Sequence, residues 1–144
     1  MSETDNVNQH YLLDSWAILT LLNKENPAAA RVEELLRLAS DGQIQLTLSV
    51  INLGELLYIF GRKHSPSAAD KLLSYLKQLP IHILSANEDR VLAAARFKMT
   101  HTISYAHAFA AASAIELQAI LVTGDPELLS LAQELELEAL KREA

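Results

Sequence analysis

The spacing of apolar residues along this chain changes period repeatedly, and each change marks an element. His10-Tyr11-Leu12-Leu13 reads as a short strand that ends at Asp14, and a helical pattern follows from Ser15 to Leu22. After the polar stretch Asn23 to Asn26, Pro27 opens a second helix running to about Ser40, in which Val32, Leu35, Leu36 and Ala39 recur at helical spacing. Asp41-Gly42 is a turn signal, and Ile44 to Leu48 alternates as a second strand. A third helix is predicted over about 50–61, closed by Gly61 and Arg62-Lys63-His64. Ser65-Pro66 starts a fourth, which ends before Pro80. Ile81 to Leu84 is a third strand, Asn87 caps a helix to about Lys98, and Ser104 caps another to about Leu117. Ala119 to Val122 is a buried strand that breaks at Gly124, and Pro126 suits the first position of a further helix. Leu135 to Ala139 alternates strictly and fits either an edge strand or a continuing helix.

Strands that alternate with helices predict an α/β fold with a central parallel sheet covered on both faces. No repeat, low-complexity tract or linker interrupts the pattern. Residues 1–8 read as a flexible lead-in and residues 9–144 as one domain. A chain of 144 residues, 50% hydrophobic and 21% charged, can bury a real core, and its composition excludes broad disorder. No apolar run approaches the roughly 18 residues that would cross a bilayer. The start lacks the basic and apolar regions of a signal peptide, so a cytoplasmic protein without membrane association is expected. The absence of cysteine excludes disulfides and thiolate metal sites. A net charge of −6 argues against coating nucleic acid by bulk electrostatics. An acidic pocket can still handle phosphate through a bound cation.

Candidate chemistry concentrates at the predicted strand ends. Asp14 and Asp125 each sit at the carboxyl end of a strand, where open α/β sheets form their ligand crevices. Either residue can instead be a helix N-cap. Glu55 lies on a largely apolar helix face beside Ile51 and Ile59, a costly place for a carboxylate unless a cation or donor pairs with it. Ser104-Tyr105-Ala106-His107 has capping-box spacing, with an imidazole where a carboxylate would reach back. A helix N-terminus disfavours an imidazolium, and a neutral ring can ligate a transition metal or accept a proton. His107 can equally be a partly buried ring against Tyr105 and Phe109. Three carboxylates suit a hard cation such as Mg²⁺ or Mn²⁺, which serves phosphodiester displacement.

Four blocks together resemble the PIN-domain ribonucleases, and among them the small toxins of VapBC-type toxin–antitoxin pairs. These are Tyr11 to Ser15, Ser49 to Glu55, Ile103 to Ala112, and Val122 to Glu127. The resemblance spans essentially the whole chain and implies a three-layer α/β/α sandwich around a parallel sheet. It implies Mg²⁺- or Mn²⁺-dependent RNA cleavage, inhibition by a cognate antitoxin, and a homodimer. By matching position, Asp14, Glu55 and Asp125 would be the metal-binding carboxylates, and the Thr123 hydroxyl would support them. The family's third block reads Ala-Asp-Ala where this chain has Ala106-His107-Ala108. Replacing an acid by a base should weaken hard-cation binding, and reduced or metal-shifted activity is expected.

Arg62 and Arg96 are candidate contacts for RNA phosphates, alongside Lys63, His64, Lys98 and His101; all of them also suit ordinary helix ends. Apolar positions such as Leu53, Leu57 and Phe60 are candidates for core or for a partner surface. The leading expectation is a metal-dependent endoribonuclease that acts as a toxin. The alternative is an impaired PIN-like module that binds RNA or an antitoxin without cutting. A phosphatase or nucleotide-binding domain is disfavoured by the absence of a Gly-rich phosphate loop.

Overall fold

The computed structural model describes residues 9–142. The expected lead-in, 1–8, and the last two residues lie outside them. The chain order is β1 (Gln9–Leu13), α1 (Ser15–Leu22), α2 (Ala28–Ser40), β2 (Ile44–Ser49), α3 (Val50–Lys63) and α4 (Pro66–Leu76). It continues with β3 (His82–Leu84), α5 (Glu88–Met99), α6 (Tyr105–Leu117), β4 (Ile120–Thr123), α7 (Pro126–Leu129) and β5 (Leu137–Ala139). The five strands form one sheet in the order β3-β2-β1-β4-β5, with every pairing parallel. The α/β/α sandwich read from the sequence is therefore the fold.

Alternate residues of the central strands feed two cores. Tyr11, Leu13, Leu46, Leu48 and Val122 pack with α1 to α4. Leu12 and Leu121 face the other way, against α5 to α7. Helix α6 reaches that face closely because Ala108, Ala110, Ala111 and Ala114 are all buried there. Small side chains let the helix axis approach the strands with little intervening volume.

Of three local expectations, the first is corrected, the second is decided between its two alternatives, and the third holds for a steric reason. Gly61 does not end α3, which runs on to Lys63. A Cβ at Gly61 would lie 3.3 Å from the Ala69 Cβ, so this glycine lets α4 approach α3. The helix opened by Pro126 is a single turn, and the alternating segment beyond it is the edge strand β5, not more helix. β4 ends at Thr123, and the following position is glycine for a steric reason. A Cβ there would run into the Trp16 ring, so the indole occupies the space a side chain would need.

Candidate active site

Register sets the site. Leu13 of β1 pairs with Val122 of β4 and with Leu48 of β2. The residues that follow, Asp14, Thr123 and Ser49, therefore lie side by side at the carboxyl edge of the sheet. β1 is the central strand, so Asp14 is walled in by neighbours on both sides and is buried. Its Oδ1 accepts the Ala17 backbone N–H at 2.9 Å, capping α1, and its Oδ2 accepts from the Thr123 hydroxyl. Burial pushes the Asp14 carboxyl up to about 6, against the opposing pull of the Thr123 and Ala17 hydrogen bonds. Both readings of Asp14, cap and buried carboxyl at a strand end, hold together.

Thr123 links the two aspartates. The Asp125 backbone N–H donates to the Thr123 Oγ1 at 3.0 Å, while that hydroxyl donates to Asp14. Asp125 caps α7 by accepting the Glu127 N–H at Oδ1, 2.9 Å away, and keeps Oδ2 toward the His107 ring, 3.6 Å from Nε2. Glu55 is half-buried on α3 and accepts from the Ser15 hydroxyl, the donor its apolar surroundings demand. Ser15 directly follows Asp14, so the Glu55 carboxylate is tied to the same edge of the sheet.

His107 occupies the third position of α6, where its own N–H donates to the Ser104 Oγ at 3.1 Å. The His107 ring does not return the second bond of the capping box. Glu127 does so from α7: its Oε1 accepts the Ser104 N–H at 2.8 Å and also pairs with His107 Nδ1 at 2.5 Å. The His107 bond, more than any other contact, holds the Glu127 carboxyl below its usual range. The ring thus lies between two carboxylates, and Tyr105 and Phe109 pair with each other at 5.2 Å.

Sequence reasoning gave no role to Ser15, Asn52, Trp16 or Glu127. Asn52 is buried in α3 and donates to the Ala106 carbonyl at 3.2 Å, fixing the start of α6 against α3. An amide set among Ile51, Leu53 and Leu56 of a largely apolar helix was its signal. Glu127 carried none, because its partners are 20 and 23 residues away in sequence.

The basic candidates divide. Arg62 is exposed at the end of α3, 5.4 Å over the Tyr58 ring, and Arg96 is exposed on α5. Neither forms an ion pair among the described residues. Lys98 donates to the Ile103 carbonyl at 2.7 Å, and His101 stacks on Phe97 and bonds Glu134. Those two therefore serve the α5–α6 connection. Leu53 is core, and Phe60 packs against the core. Leu57 also lines a shallow groove between α3 and α4, with Tyr58, Gly61 and Pro66.

A model of the PIN domain family matches residues 11–134. The chain belongs to the PIN-domain family. Solved structures with the same fold include VapBC2 from Rickettsia felis bound to a DNA fragment from its promoter, at 16% identity and TM-score 0.72, covering 92% of this chain and 100% of that one. DNA-bound VapBC from Salmonella typhimurium aligns at 15% identity and TM-score 0.70, over 92% and 98% of the two chains. The sarcin-ricin loop cleaving toxin VapC20 from Mycobacterium tuberculosis aligns at 14% identity and TM-score 0.67, over 83% and 93%. No curated protein matches the sequence significantly. No helix among the described residues of this PIN domain is long and apolar enough to cross a membrane.

A divalent cation can be tested against these donors. Among the described residues, no three His, Cys, Asp or Glu side chains converge on one point. Mg²⁺ seldom needs that, since it is commonly held by one or two carboxylates with waters and substrate phosphate. The buried Asp14 carboxyl, raised by its own desolvation, is a group that a cation would stabilise in its charged form. The donors are oxygens of the hard type, and they fit.

Proposed function

We propose that this PIN-domain chain is a divalent-metal-dependent endoribonuclease that acts as the toxin of a toxin–antitoxin pair. The observation that carries the reading is the placement of Asp14, Thr123 and Asp125 as one hydrogen-bonded unit at the carboxyl edge of β1 and β4. Glu55 borders that unit through Ser15. Asp14 and Asp125, with Glu55 alongside, would hold Mg²⁺ or Mn²⁺. The ion, when bound, supplies charge for the phosphoryl oxygens and lowers the pKa of water. Thr123 keeps the two aspartates in register, and Arg62 and Arg96 are the cations on hand for RNA phosphates beyond the acidic centre. The neighbouring structures contain VapBC complexes, which supports an antitoxin protein as partner; a homodimer in a cytoplasmic setting belongs to the same proposal.

The test is cleavage of a mixed RNA pool in Mg²⁺ and in Mn²⁺ by the chain and by Asp14→Asn and Asp125→Asn. Both variants should lose divalent-dependent cleavage and keep their circular dichroism. Equal activity in variant and parent would refute the assignment. His107 between two carboxylates favours a second reading, a PIN-like module that binds RNA or antitoxin without cutting. That reading requires His107→Asp to bring no gain in cleavage.

A further inference from the structure

His107 is not merely a lost acid, because its ring has a built orientation. A carboxylate offers only lone pairs, so Nδ1 must carry the proton in its 2.5 Å bond to Glu127. Glu127 is itself fixed, since the same oxygen accepts the Ser104 N–H at 2.8 Å. Ser104 in turn caps the His107 N–H at 3.1 Å, so backbone and side chain of His107 are held from both ends of one short circuit. The remaining nitrogen, Nε2, points toward Asp125 Oδ2 at 3.6 Å, too long for a hydrogen bond. The His107 side chain is mostly buried, 17% exposed, which limits its freedom to swing away. An imidazole held through Nδ1–H by one carboxylate, with Nε2 directed at another, has the orientation usual for a metal-ligating histidine.

We propose that Glu127 is a positioning residue that presents His107 Nε2 beside Asp125, giving this site a nitrogen-plus-carboxylate donor pair that selects a transition-metal ion over Mg²⁺. The inference rests on the proposed metal-dependent reading of Asp14 and Asp125. Imidazole adds affinity along the transition series and little for Mg²⁺, which prefers oxygen. Glu127 would not itself be a ligand. It acts by fixing which nitrogen bonds a carboxylate and where the other nitrogen faces.

The experiment is calorimetric titration of the untagged chain with Mg²⁺ alone and with Co²⁺ alone, repeated on Glu127→Ala, Glu127→Gln, His107→Phe, His107→Asp and Asp14→Asn. The parent should bind Co²⁺ at least about tenfold more tightly than Mg²⁺. Glu127→Ala should weaken Co²⁺ binding by about 10- to 100-fold and leave Mg²⁺ nearly unchanged. Glu127→Gln, which keeps an oxygen for Nδ1–H, should recover most of that loss. His107→Phe should match Glu127→Ala, and His107→Asp should shift preference back to Mg²⁺. The same Co²⁺ to Mg²⁺ ratio in the parent, Glu127→Ala and His107→Phe would overturn the inference while loss of binding in Asp14→Asn upheld the metal site. Asp14→Asn that binds both ions like the parent would overturn the metal site itself. Failure of the parent to bind either ion would also overturn the inference, and Mg²⁺ binding by His107→Asp would then show that the carboxylates are sound.

Discussion

Thr123, itself fully buried, uses one hydroxyl for two partners, donating to buried Asp14 and accepting the Asp125 N–H. Thr123→Val keeps the volume and leaves a buried carboxyl oxygen and a backbone N–H unpaired. It should cost about 1–3 kcal/mol in denaturant unfolding and abolish divalent-dependent cleavage, while Thr123→Ser preserves both. Gly124 poses the opposite problem, a filled space. Its neighbour Trp16 is covered on the ring face by Arg142 at 4.4 Å, so the indole has little room to retreat from an added Cβ. Gly124→Ala should destabilise by about 1–3 kcal/mol, measured by denaturant unfolding. Much of that loss should disappear in a Trp16→Ala background, because the clash is pairwise. Asp14, Glu55, His107 and Asp125 stood out in the sequence, since acids after apolar runs, a carboxylate on an apolar face and capping-box spacing are local signals; Thr123 stood out only through the family resemblance. Glu127 and Trp16 did not stand out, because their partners come from other elements.

At the scale of elements, the α5–α6 connection carries a titrating brace. His101 stacks on Phe97, and its Nδ1 lies 2.8 Å from the Phe97 carbonyl while Nε2 lies 2.7 Å from Glu134. The Phe97 carbonyl and then Glu134 raise its pKa above the ordinary histidine value. A folded value above the unfolded one means the stabilisation is complete below the unfolded pKa, about 6.5, and fades as pH rises through the folded pKa. Thermal melts across that range should show this loss in the parent, and His101→Gln should flatten it. An unchanged slope in His101→Gln would place the titration elsewhere. Helix starts were legible because Ser65, Asn87 and Ser104 all cap as their residue types predict. The end of α3 was not, since Gly61 answers to packing against Ala69 and not to the helix's own signals. Strand β5 remained open between strand and helix because a five-residue alternation soon after a helix start is too short to decide alone, and its pairing with β4 decides it.

At the scale of the whole molecule, a net charge of −6 leaves RNA attraction to a few placed cations. Arg62→Ala should weaken RNA binding by a similar factor for every sequence and reduce the salt slope of log affinity by about 1, measured by filter binding from low to moderate salt. An unchanged slope would remove Arg62 from the RNA path. The fold was legible because periodicity alternated cleanly between strand and helix, and a parallel sheet follows from that alternation. The chemistry was legible only up to residue types. Which nitrogen of His107 faces Asp125 depends on α6 and α7 meeting, which no local pattern encodes. The most direct measurement is cleavage of a mixed RNA pool by the purified chain with Mn²⁺, with Mg²⁺ and with EDTA, beside His107→Asp. The account predicts cutting by the parent that EDTA stops, stronger in Mn²⁺ than in Mg²⁺, and a gain in Mg²⁺ for His107→Asp. Cutting that survives EDTA, or silence from both proteins in both metals, would contradict it.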